Sequence, residues 1–215
     1  MGAAEVDRIT QWAISMKELN TLILELREIA LDSGANELQQ IPAGIVKTAA
    51  WVRFKCRYGC KAYGKHLSCP PYSPTPEETE NVLRDYEHAA LIEFVGLPKE
   101  TSVDPRHIHH YLWDLIMVVH NTIYKLERHA FLSGYYKAFG FGAYPCALCE
   151  TCLPEEGDID FHTVKRLCRH PDMMRPAMEA SGIDVYATVR AAGFELEVVT
   201  TFDETIKTFG LLLLD

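Results

Sequence analysis

A chain of 215 residues, 48% of them hydrophobic and 24% charged, has the composition of a globular protein able to bury its own core. Its net charge of -9 leaves no basic stripe to displace phosphate counterions, which argues against nucleic acid as a partner. The longest apolar runs, Leu115 to Val119 and Leu211 to Leu214, fall far short of the ~20 residues of a bilayer-spanning helix, so no membrane association is expected.

The opening "MGAAEVDRIT" has neither a basic nor an apolar leader region, and Val6 stands where a myristoylation signal has Ser or Thr. A cytoplasmic address and a single domain over residues 1-215 are the expectations. A first helix is predicted near Met16 to Leu31, where Leu19, Leu22, Ile23, Leu26 and Ile29 recur at helical spacing before the stop "DSG". "GIVKTAAWVRF", Gly44 to Phe54, reads as a strand delivering Cys56 to a loop. Next, "SPTPEETENVLRDYEHA" places Thr and Pro before an acidic first turn and predicts a helix start, and "ALIEFVG", Ala90 to Gly96, reads as a strand. A long helix from about Pro105 to Leu132 carries the core stripe Ile108, Leu112, Leu115, Val119, Ile123 and Leu126. "GYYKAFGFGAYP", Gly134 to Pro145, reads as a strand whose Gly140 and Gly142 leave room beside a bulky cofactor. "MRPAMEASG" suggests a short helix ended by Gly182, and Asp184 an N-cap for "VYATVRAAG". "FELEVVTT" and "KTFGLLLLD" resemble a hairpin. The alternation predicts an α+β or α/β domain, a layered mixed sheet with helices and cysteine-rich loops near residues 55-75 and 145-172.

The seven cysteines are clustered, three from Cys56 to Cys69 and three from Cys146 to Cys152, with Cys168 following. In a reducing compartment, clustered thiols read as metal ligands rather than disulfides. "CALCETC" spaces Cys146, Cys149 and Cys152 by two successive two-residue gaps, and Cys168 follows in "CRHP". One tight loop can thus wrap three corners of an iron-sulfur cube, with a fourth cysteine near a proline, as in bacterial ferredoxins. The cofactor expected on Cys146, Cys149, Cys152 and Cys168 is a 4Fe-4S cluster. Zinc is the competitor, since four cysteines also suit a tetrahedral site. Gly157, Asp158, Asp160 and His162 read as a solvated excursion between ligands.

Cys56, Cys60 and Cys69 form a second metal group with only three thiols, the last followed by Pro70 and Pro71. Three thiolates can hold three irons of a second cube and leave one corner for water or substrate. His66 is an alternative fourth ligand that would make a closed Cys3His zinc site, and a cysteine crossing from the other group is another. The gap pattern departs from the radical-SAM spacing, and no glycine-rich loop for that cofactor is present. Arg53, Lys55, Arg57, Lys61 and Lys65 surround this group and can lower thiol pKa or attract an anionic substrate, against the plainer reading of a solvated loop. Tyr58, Tyr63 and Tyr72 are expected to shield it from water. Arg169 and His170 are placed to hydrogen-bond cluster sulfur and raise its potential. His107 and His110 share one face of the long helix's start, more simply a wet helix end than a metal pair.

"KCRYGCKAYGKHLSCPP", "CALCETC", "CRHP" and "RPAMEASGIDV" together resemble an uncharacterised cysteine-rich family described as predicted metal-binding proteins, found largely in anaerobic bacteria and archaea. The likeness covers about Val52 to Gly193, with Ala177 where the family more often has serine. It implies metal or iron-sulfur binding and no particular reaction. Three functions follow: an iron-sulfur electron-transfer protein of anaerobic metabolism, an enzyme using an open iron of the three-cysteine group as Lewis acid or sulfur-binding site, or a zinc-stapled interaction protein. A redox partner protein or a small-molecule substrate is expected accordingly.

Overall fold

The computed structural model describes residues 18-96, 112-157, 168-200 and 204-215. Strands β1 (Glu37–Pro42), β2 (His88–Gly96), β3 (Phe139–Phe141) and β4 (Ile206–Leu214) form one antiparallel sheet in the order β1-β2-β4-β3. Six helices accompany it among the described residues: α1 (Leu19–Asp32), α2 (Ala50–Gly59), α3 (Pro76–Leu83), α4 (Trp113–Leu132), α5 (Leu153–Glu156) and α6 (Val185–Ala191). The result is the layered α+β arrangement. No helix among the described residues is long and apolar enough to cross a membrane.

The two central strands are apolar almost throughout because both faces of the sheet are covered. Ala90, Ile92, Phe94, Leu212 and Leu214 pack with Leu22 and Leu26 of α1 and Val119, Ile123 and Leu126 of α4. Their alternates Ala89, Leu91, Phe209, Leu211 and Leu213 pack with Leu83, Met178, Ile183 and Val189 on the opposite face. Each fully buried leucine of this kind contributes about 2 kcal/mol of transfer free energy, so the core carries the fold without staples.

Local signals fixed several elements as read. Thr75 and Glu78 make a reciprocal capping box at the start of α3, and the Asp184 side chain accepts from the Ala187 N–H at the start of α6. Of the predicted stripe, Leu112, Val119, Ile123 and Leu126 are buried and Leu115 is partly buried, with Ile116 buried beside it; Ile108 and the His107/His110 pair lie outside the described residues. Asp158, Asp160 and His162 lie outside them too.

Other elements differ. Residues 50-59 are helical, not a strand, so Cys56 sits on α2 itself. The helix buries only Val52, and the β-branched residues that suggest a strand precede it in a short 3-10 turn, Ala43–Ile45, and an isolated bridge at Thr48. Residues 194-200 form no strand, and β4 lies between β2 and β3 rather than in a terminal hairpin. Gly140 and Gly142 do leave room, but for α4. A Cβ on Gly140 meets Ile123, and one on Gly142 sits 3.0 Å from the His120 ring. The close approach there is helix on strand, and no cofactor is needed to explain it.

One irregular segment sets up the site. Gly142 N–H donates to the Pro176 carbonyl, and Met178 N–H donates back to the Gly142 carbonyl, each at 2.9 Å. Six residues on, Ala49 N–H donates to the Gly182 carbonyl at 2.8 Å and Asp184 N–H to the Lys47 carbonyl at 2.7 Å. Residues 176-184 are thereby stitched between the approach to Cys146 on one side and the start of α2 on the other. Gly182, at φ 80°, makes the left-handed turn that ends the 3-10 turn Glu179–Ser181.

Candidate metal centre

All seven cysteines are free thiols, with Cys69 buried and the other six partly buried. Cys56 is on the last turn of α2 and Cys60 caps its C-terminus, so their four-residue separation places both on one helix face. A compact loop returns Cys69 to them. Gly64, at φ 75°, donates its N–H to the Pro70 carbonyl at 2.8 Å, and Ser73 N–H donates to the Cys69 carbonyl at 3.1 Å. Arg53 locks this loop to α2, donating to the Ser73 hydroxyl at 2.9 Å, the Pro74 carbonyl at 3.0 Å and the Ala180 carbonyl at 2.5 Å.

The thiols of this group act on one another. Burial pushes the Cys56 thiol up to about 11, with the Glu179 carboxylate the next cause and Cys60 after it, while Arg53 pulls the other way. Burial likewise raises Cys69, opposed by its Ser68 hydrogen bond and reinforced by Glu179, Cys60 and Cys56. Arg53 lowers the Cys56 pKa as the basic surroundings suggest, and burial outweighs it. Lys55 and Arg57 instead lie over the rings of Trp51 and Tyr58. Tyr58 is 77% exposed and Tyr63 is exposed as well, so neither shields the thiols.

The second group also converges. Burial pushes the Cys146 thiol up to about 12, with Cys152, Cys168 and Cys149 all contributing repulsion. Cys168 is therefore a neighbour of the "CALCETC" loop. The Cys152 thiol is raised chiefly by burial, against which the Leu67 and Leu153 amides stabilise its anion. Arg169 donates to the Thr151 carbonyl at 2.9 Å and to Glu156 at 2.7 Å, clamping the loop, and interacts with the Cys149 thiol.

The two groups are packed on each other. Leu67 and Ser68 precede Cys69 in the first loop, yet the Leu67 amide serves Cys152 and the Ser68 hydroxyl accepts from the Cys146 N–H at 2.8 Å. Ser68 Oγ is also 3.8 Å from Cys69 Sγ, and Ser68 is fully buried. His66 Nε2 lies 3.9 Å from Glu155 Oε1, on α5 just after Cys152.

Sequence reasoning missed Glu179, which is the only charged residue in the run Pro176 to Gly182. Tyr144 N–H donates to Glu179 Oε1 at 2.8 Å. Burial raises the Glu179 carboxyl above its ordinary value, against two backbone amides that favour its anion.

A donor set of seven unoxidised thiols in two converging groups fits soft, thiophilic metal chemistry. Thiols crowded this way repel one another once ionised, and a shared cation removes that penalty. Among the described residues, no group of three or more His, Cys, Asp or Glu side chains is close enough to hold a metal ion.

No curated protein and no solved structure matches the chain. A family model does match, across residues 39-214, which takes in both cysteine groups, most of β1 and all of β2, β3 and β4. With most of its length covered, this chain belongs to the family described as predicted metal-binding protein (DUF2284).

Proposed function

We propose that this chain is an iron-sulfur electron-transfer protein of anaerobic, cytoplasmic metabolism. Cys146, Cys149, Cys152 and Cys168 hold a 4Fe-4S cluster, and Cys56, Cys60 and Cys69 hold a second metal centre. The observation that carries this reading is the contact between the two groups through Leu67, Ser68 and Cys69. A structural staple has no need of a second staple beside it, whereas two redox centres exchange electrons only when close. Cys146, Cys149, Cys152 and Cys168 would supply one-electron redox chemistry, tuned by the Arg169 and amide hydrogen bonds to their sulfurs. Those residues orient the loop and limit water access.

Glu179 favours the enzyme reading as the second one. Its charge acts on the Cys56 and Cys69 thiols ahead of that of Cys60.

Anaerobic purification followed by iron and acid-labile sulfide analysis tests the proposal. Iron and sulfide in comparable amounts, with a brown colour and a paramagnetic resonance signal on reduction, are expected. Cys149→Ser removes one set of signals and Cys69→Ala the other. Zinc without acid-labile sulfide overturns the reading in favour of a structural protein.

A further inference from the structure

Three aromatic rings stand on the solvent side of α2. Trp51 is 47% exposed, Phe54 62% and Tyr58 77%, and their spacings of three and four residues put them on one helix face. The opposite face buries Val52 and carries Cys56, with Cys60 at the helix end. Phe54 and Tyr58 meet edge to face, their centroids 6.1 Å apart. Large apolar side chains grouped in water and rimmed by polar ones mark an interaction surface, where scattered ones do not.

The rim is basic. No Asp or Glu lies between Glu37 and Glu77 in a chain that has 30 of them, while six Lys or Arg do. Lys55 Nζ lies 5.3 Å from the centroid of the Trp51 ring and the Arg57 guanidinium 5.6 Å from that of Tyr58. Lys61 and Lys65 stand exposed on the loop that follows. The net charge of -9 thus belongs to the rest of the chain, so an acidic partner is repelled elsewhere and drawn to this face. Aromatic rings beside Arg are also what interface hot spots are made of. Nucleic acid fits less well, because two of the three rings already have a face taken by their own cation and one convex helix offers no groove for a phosphate backbone.

We propose that the Trp51, Phe54 and Tyr58 face of α2 docks a small acidic electron-carrier protein of the ferredoxin type. That the partner carries electrons rests on the electron-transfer reading above; that it is acidic rests on the face itself. Phe54 and Tyr58 form the apolar anchor, and Lys55, Arg57 and Lys61 set the orientation. A partner seated here is one helix diameter, about 10 Å, from the side that carries Cys56.

Calorimetric titration of the anaerobically prepared full chain with a purified, oxidised two-cluster bacterial ferredoxin tests the assignment at low and high salt. Phe54→Ala/Tyr58→Ala removes the anchor, Lys55→Glu/Lys61→Glu reverses the rim, and Arg84→Glu/Arg128→Glu makes the same charge change at exposed positions away from α2. All the replaced side chains are exposed, and circular dichroism matching the wild type reports the fold. The wild type is expected to bind at low salt and to weaken at high salt. Each α2 pair is expected to raise Kd about tenfold, and the Arg84/Arg128 pair by less than about twofold. No binding by the wild type, an unchanged Kd in either α2 pair, or an equal loss in the Arg84/Arg128 pair overturns the docking face. So does an oligothymidylate that binds through the same residues, or a wild-type dimer in sedimentation that the α2 substitutions dissolve. Iron and acid-labile sulfide are assayed on the same samples. Loaded protein that ignores the ferredoxin overturns the docking face alone, whereas zinc without sulfide overturns the electron-transfer reading and the choice of partner with it.

Discussion

The Cys146 backbone N–H donates to the Ser68 hydroxyl at 2.8 Å, so the residue before the last thiol of one group braces the first thiol of the other. Ser68 is fully buried and Cys146 partly so. Ser68→Ala leaves that amide without its acceptor and is expected to cost about 1-3 kcal/mol of stability. Urea unfolding of the metal-free protein measures it. In the loaded protein, the same variant is expected to alter the magnetic interaction between the two centres; identical spectra with and without the hydroxyl count against the bridge.

Arg169 donates to the carbonyl of Thr151 in the cysteine loop and interacts with the Cys149 thiol. A cationic donor on a ligand sulfur favours the more reduced, more negative cluster. Arg169→Ala is therefore expected to lower the reduction potential of the four-cysteine cluster, on the order of tens of millivolts. Potentiometric titration followed by paramagnetic resonance checks the direction; a rise assigns Arg169 to loop structure alone.

Glu127 on α4 accepts from Arg175 at two nitrogens and from the Gly140 N–H at 2.7 Å, which joins the long helix to β3 and to the segment after Cys168. The pair is largely buried, with side chains 19% and 13% exposed. Removing one partner strands the other's charge, so Glu127→Ala is expected to destabilise by about 3 kcal/mol. The matched replacement of both residues by apolar ones should recover much of that loss in chemical denaturation, as a desolvation argument requires.

His120 is 1% exposed on α4 beside Gly142, and neither ring nitrogen has a well-formed hydrogen bond. Burial lowers its pKa from 6.5 to about 4, with the Pro145 carbonyl opposing weakly. Between those values the unfolded chain binds a proton that the folded one refuses. Stability from this group is whole above pH 6.5 and is lost as pH falls toward 4, up to about 3 kcal/mol. His120→Gln should flatten that part of the stability profile. Parallel unfolding series for the two proteins between pH 4 and 7 decide it, and superimposable slopes refute it.

Several elements were legible because their causes are local. Thr75, Pro76 and Glu78 cap α3 within four residues, Asp184 caps α6 three residues from its acceptor bond, and the α4 stripe repeats at helical spacing. Residues 50-59 were not legible as a helix, because α2 turns Trp51, Phe54 and Tyr58 to solvent and buries only Val52. An inverted face of that kind defeats a periodicity argument, which assumes that apolar residues point inward. The terminal hairpin failed for another reason: β4 is apolar enough to occupy the sheet interior, where β2 and β3 pair with it.

The sequence by itself determined the two cysteine groups and pointed to metal binding, since ligand type and loop spacing are covalent properties of the chain. That the groups touch through Ser68 and Cys146, and that the Glu179 carboxylate is held by the Tyr144 amide, only the tertiary structure decided. The Ser68 to Cys146 contact spans 78 positions, and Tyr144 lies 35 positions from the carboxylate it holds. Such contacts arise because the sheet aligns β3 beside β4 and residues 176-184 are bonded on both flanks. No local pattern encodes a meeting that depends on hydrogen bonds between distant backbones.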